Sequence, residues 1–137
     1  LRPELEQHIS DAGLNGIINL MGRSNEIYKK LREASFYIMS SRFEGFPMVL
    51  IEAQSQGLPI VSFDCPNGPS DIINDGVNGI LVENQNKDAL YEGICYMIEH
   101  PEERKAMGKK SLENVNQYST VVICNMWQKL FDEIRNK

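Results

Sequence analysis

The residues with the clearest chemical promise lie in one run, SRFEGFPMVLIEA, at positions 41–53. Glu44 precedes a Gly45-Phe46-Pro47 turn, and Glu52 stands eight residues further on, among Met48, Val49, Leu50, Ile51 and Ala53. A carboxylate in such company is costly to bury unless it is paired. Pro47 suits the first position of a helix, where its missing N–H costs nothing. The N–H groups of Met48, Val49 and Leu50 are then free donors at the positive end of a helix dipole, a ready site for phosphate. Each such contact contributes about 0.3 to 1 kcal/mol when exposed. Glu52 shares a helix face with Met48. Repelled by phosphate, it suits a vicinal diol such as ribose, through charged hydrogen bonds of about 1.5 to 3 kcal/mol each. Glu44, on the loop, can reach the group beyond the phosphates, and Gly45 allows close backbone approach or positive φ. The plainer alternative makes Glu44 a solvated loop residue and Glu52 an exposed helix position.

The elements that must hold this run can be read from periodicity and stop signals. Leu5, His8, Ile9 and Ala12 predict one face of a helix from near Pro3 to Gly13. Ile17–Met21 reads as a short buried strand ending at Gly22. Ser24 is the expected N-cap of a helix through Ala34, with Ile27, Tyr28 and Leu31 inward. Phe36–Met39 is a second strand. The loop and helix of the two glutamates follow, stopped by Gly57 and Pro59. Strands are expected at 60–63 and 79–82, with a short helix over 70–74 between them. Leu90, Ile94, Met97 and Ile98 repeat at helical spacing, and Pro101 opens a further helix. Ser119 caps a last one, whose Ile123, Met126, Trp127, Leu130, Phe131 and Ile134 read as core or domain-packing residues. Short apolar strands alternating with helices mean an α/β fold, a Rossmann-like parallel sheet with helices on both faces. Residues 1–137 form a single domain on this reading, with helices from about 86 packed on it. Such sheets bind ligands beyond the carboxyl ends of their strands, here after Met21, Met39 and Phe63.

Composition narrows the classes. The net charge of −5 and the scattered basic residues exclude a concentrated nucleic-acid stripe. Arg104, Lys105, Lys109 and Lys110 are interleaved with Glu102, Glu103 and Glu113, which marks a solvated helix face more than a membrane-surface patch. Cys65, Cys95 and Cys124 are odd in number and lack the spacing of a zinc site or a disulfide framework. A reducing, cytoplasmic setting follows. No apolar run approaches the roughly 18 residues of a membrane span. The chain begins with Leu1, as a piece of a longer protein would.

Glu44 and Glu52 form an E-x7-E motif, and EGFPMVLIEAQSQGLPIV resembles the signature of the retaining GT-B glycosyltransferases of the large family 4. FDCPNGPSDIINDGVNGILV is similar to the segment that follows the motif there. The resemblance runs from Leu1 to about Phe131 and implies the C-terminal, donor-binding domain of an enzyme that moves a sugar from a nucleotide-sugar to a glycan or lipid-linked acceptor. It implies that Glu44 is the catalytic-site carboxylate at the transferred sugar, with Gly45, Phe46 and Pro47 around the same hydroxyls. It places the diphosphate at Met48 and Val49, the ribose at Glu52 and the base at Gly22, Arg23 and Ser24, with a solvated Arg23 equally compatible. It calls for no cofactor and no metal, and admits peripheral association with the inner face of the membrane. The family's domain opens with a strand carrying a basic pair and a further βα unit, and is preceded by an N-terminal acceptor-binding domain. None of these is recognisable here, so the chain by itself is expected to be inactive. Asp71 stands where the family more often has glutamate. Two other readings remain: a non-catalytic nucleotide-sugar binding module, and an unrelated doubly wound enzyme such as an inverting transferase or an epimerase. No GxGxxG follows a strand, which counts against the last.

Overall fold

In the computed structural model, which describes residues 1–136, a three-stranded sheet carries the fold. β1 (Tyr37–Met39), β2 (Ile60–Asp64) and β3 (Gly79–Glu83) are all parallel, in the order β1-β2-β3. Tyr37 pairs with Ile60, and Ile60 in turn with Gly79. The helices are α1 (Arg2–Asp11), α2 (Ile27–Glu33), α3 (Met48–Ser55), α4 (Pro69–Ile72), α5 (Lys87–Glu99), α6 (Pro101–Asn114) and α7 (Thr120–Arg135). A 3-10 turn, Val115–Tyr118, joins the last two.

Parallel strands need cover on both faces because every side chain leaves the ribbon alternately up and down. On one face α3 and α4 bury Met39, Leu50, Ile60, Cys65, Ile72 and Ile73 together. On the other, α5 and α6 close over Val61 with Met97 and Met107, flanked by Leu90 and Ile94. α3 ends where Gly57 turns to φ 76°, with Gly57 N–H bonded to the Gln54 carbonyl and Leu58 N–H to that of Ala53. This is a Schellman stop, and it delivers the chain directly into β2. Gln54 is wholly buried: its Nε2 donates to the Ile72 carbonyl at 3.1 Å and its Oε1 accepts from Asn114 Nδ2 at 2.9 Å. One amide thus fastens α3 to α4 and to the end of α6.

Four expectations are corrected. Ile17–Met21 is not a strand: only an isolated bridge joins Asn15 and Ile18, and Ile17 and Met21 are 74% and 63% exposed. A strand exists by virtue of a neighbour's ladder, and β1 shares its hydrogen bonds with β2 alone. Ser24 does not cap α2. Its Oγ accepts the Glu26 N–H at 3.0 Å in a local turn, and the helix begins only at Ile27. Of the inward residues expected on α2, Leu31 is buried while Ile27 and Tyr28 stay exposed. The stripe of α7 is not core either, since no residue of that helix is buried and α7 packs on the 3-10 turn rather than on the sheet. The helix expected near the start of the chain does form, as α1, with no buried residue.

Candidate functional site

The chain leaves β1 at Met39 and runs as a loop over the carboxyl edge of the sheet before entering α3. A second loop, from Cys65 to Gly68, leaves β2 beside it. The two are locked together. Glu44 N–H donates to the Pro66 carbonyl at 3.5 Å, and Gly68, at φ 118°, sits so close that a Cβ there would come within 2.3 Å of Pro47 Cδ. Only glycine fits against that buried proline ring. Phe46 is held from the far end of the chain: Tyr118 approaches it edge-on at 6.2 Å, and the Tyr118 hydroxyl donates to the Asp71 carbonyl at 2.8 Å.

Pro47 precedes the helix rather than opening it. Its ψ of 81° makes it the N-cap, and Met48 is the first helical residue. Two of the three N–H groups expected to be free are bonded, Met48 to the Phe46 carbonyl and Leu50 to the Pro47 carbonyl, each at 2.9 Å. A tight turn at the cap uses these donors locally. Val49 N–H has no such partner among the described residues. Gly45 does not take positive φ, and a Cβ there would meet nothing within 4 Å. The fold itself does not ask for a glycine at that place.

Glu44 and Glu52 are both half-buried. The ion pairs of the described residues all lie elsewhere, on helix surfaces, and neither carboxylate accepts a hydrogen bond. Both act on one group: the Tyr37 hydroxyl is pushed above the usual tyrosine range, first by burial and then by the charges of Glu44 and Glu52. The Cys65 thiol is raised in the same way, by burial and then by Glu44, so it stays protonated at neutral pH. The two acids therefore belong to one electrostatic neighbourhood, around Tyr37 at the α3 face of β1.

The structure thus unites Glu44, Gly45, Phe46, Pro47, Met48, Val49 and Glu52 in one loop-helix unit. Gly22, Arg23 and Ser24 are exposed on a separate loop before α2, with Gly22 at φ 64°, and share no hydrogen bond with that unit. Sequence reasoning missed Tyr37, which it read only as part of a strand, and Tyr118, to which it assigned no part. Their only signal was an aromatic residue at an element boundary. Among the described residues no three His, Cys, Asp or Glu side chains gather as a metal site, and no helix is long and apolar enough to cross a membrane.

A family profile described as glycosyl transferases group 1 matches residues 2–114. The chain is 32% identical over 131 residues to an exopolysaccharide phosphotransferase of Streptomyces coelicolor, covering 95% of this chain and 14% of that protein. It is 31% identical over 133 residues to poly(ribitol-phosphate) alpha-N-acetylglucosaminyltransferase of Staphylococcus aureus, covering 96% of this chain and 27% of that one. A crystal structure of a mutant S. aureus TarM in complex with fondaparinux, alpha-GlcNAc-glycerol and UDP superposes with a TM-score of 0.86 at 32% identity, over 94% of this chain and 26% of its own. The chain spans under a third of each of these relatives.

Proposed function

This chain belongs to the glycosyl transferases group 1 family, and from that premise we propose that it is the donor-binding part of a glycosyltransferase that acts with retention on a glycan or glycolipid acceptor. The observation that carries the reading is the pair of half-buried, unpartnered carboxylates on one loop-helix unit at the carboxyl edge of a parallel sheet. Unpartnered acids in that position are kept for a ligand with hydroxyls to donate. The UDP in the similar TarM complex supports a nucleotide donor.

In this reading the diphosphate meets the Val49 N–H at the start of α3. Met48 N–H joins it by exchanging its bond to the Phe46 carbonyl. Glu52 accepts the two ribose hydroxyls. Glu44 and the backbone of Gly45, Phe46 and Pro47 hold the transferred sugar, and the open space at Gly45 is where its ring comes nearest the main chain. The base lies toward Gly22, Arg23 and Ser24. The bond from the anomeric carbon to the diphosphate oxygen breaks, its electron pair leaving with the nucleoside diphosphate. The acceptor oxygen bonds the same carbon from the same face and passes its proton to the departing diphosphate oxygen. No cofactor or metal takes part. Peripheral placement at the inner membrane face belongs to the same proposal.

Glu52→Ala tests the ribose assignment: affinity for UDP or GDP, by titration calorimetry, falls by about 1 to 3 kcal/mol, and unchanged affinity sinks it. Glu44→Gln, in the protein that carries the acceptor half, stops transfer while nucleotide still binds. Transfer that persists would leave the chain as a binding module.

A further inference from the structure

Across the loop from Glu44, on the α5 face of the sheet, lies a cavity of about 380 Å³ lined by Ser40, Arg42, Phe63, Gln85, Lys87 and Leu90. It opens at the same edge as the glutamate site. Ser40 follows β1, Phe63 is near the end of β2, and Gln85 lies just past β3. Phe63 and Leu90 give it an apolar floor. Its charged residues are Arg42 and Lys87, both positive, with no carboxylate in the lining, in a chain whose net charge is −5. Neither cation has an ion-pair partner among the described residues.

The neighbouring acids do not answer them. Glu83 accepts a hydrogen bond from Asn86 Nδ2 at 3.0 Å, while Asp64 and Asp88 are exposed and outside the cavity. Lys87 is the first residue of α5, where the helix dipole disfavours a cation. An anion placed there would be favoured by the dipole and by both side chains at once. The walls are held in place: Asn84 Nδ2 donates to the Arg42 carbonyl at 3.4 Å, and Asn84 Oδ1 is buried with no partner. Gln85 takes φ 65°, an uncommon conformation for a residue with a side chain. The loop therefore accepts local costs that a plain turn avoids.

We infer that this cavity binds the phosphate of a polyol-phosphate or sugar-phosphate belonging to the acceptor, a reading that rests on the glycosyl-transfer function proposed above. Arg42 offers a bidentate fork and Lys87 a point charge to the phosphate. Ser40 and Gln85 hydrogen-bond the adjoining hydroxyls, and the Phe63–Leu90 floor takes the C–H face of the carrier. The donor's diphosphate is held apart, at α3 on the other face of the sheet. A phosphate in each place brings donor and acceptor to one edge, on either side of Glu44.

The test is a titration of the ¹⁵N-labelled full chain with glycerol 3-phosphate, glycerol, inorganic phosphate and UDP, followed by amide resonances. Glycerol 3-phosphate shifts Arg42, Gln85 and Lys87, glycerol shifts nothing, and inorganic phosphate binds more weakly. In R42Q/K87Q, with the remaining amides in place, the dissociation constant rises roughly tenfold or more. The inference is overturned if glycerol 3-phosphate leaves these amides unmoved, if inorganic phosphate binds as well, or if UDP is what shifts them. UDP acts as the separate control: shifts at Val49 and Glu52 uphold the donor site even if the acceptor phosphate fails. Their absence removes the donor site while a response to glycerol 3-phosphate keeps the anion cavity.

Discussion

The loop-helix unit around α3 and the terminal helix α7 carry similar apolar content and meet opposite fates. In α3, Leu50, Ala53 and Gln54 are wholly buried, and the helix is fastened to β2, α4 and the 3-10 turn. In α7, Trp127 is 55% exposed and Met126 63%, although its apolar stripe has the cleaner helical spacing. Periodicity says which side of a helix would be buried, and only a surface in reach buries it. α3 finds the sheet, whereas α7 packs mainly on the turn before it. A helix is core through its neighbours.

That contrast can be broken by substitution, and the largest effect falls on α3. Leu50→Ala empties a site of zero exposure between sheet and helix, and the expected loss is about 2 to 5 kcal/mol in chemical denaturation. A loss below 1 kcal/mol would mean that the α3 face is not the rigid side of the molecule. Gln54→Ala comes next. It leaves the Asn114 amide and the Ile72 carbonyl one partner short, for a loss of about 1 to 3 kcal/mol, and it should loosen the end of α6 in hydrogen exchange before the sheet. Trp127→Ala is the smallest. It removes the largest side chain of the α7 stripe, including its contact with Phe131 at 5.7 Å, yet stability changes by no more than about 0.5 kcal/mol. A drop of several times that amount would show the stripe to be packed in solution and erase the comparison.

Three strands of the sheet, the helix that follows each and the stop at Gly57 were legible in the sequence, because strand alternation, helical spacing and a glycine stop are properties of neighbouring residues. The fourth strand expected from the sequence does not form. Ile17–Met21 has the composition of a buried strand, but strand identity resides in the ladder with a partner, and composition does not supply one. The glutamate pair was legible as spacing and its seating on a helix as amphipathic logic. The bonded state of Met48 and Leu50 was not, since a one-residue shift of the first helical position from Pro47 to Met48 decides which donors are consumed.

By itself the sequence determined the order of elements, the E-x7-E run and the edge of the sheet it must occupy. Each follows from interactions between residues close in the chain. Tertiary structure alone decided that Gly68 packs on Pro47, that Tyr118 braces Phe46 from 72 residues away and that Arg42 and Lys87 face one cavity. The reason is physical. These contacts join residues whose separation in sequence carries no periodic signal, and they come into being only when the sheet has brought its loops to one edge.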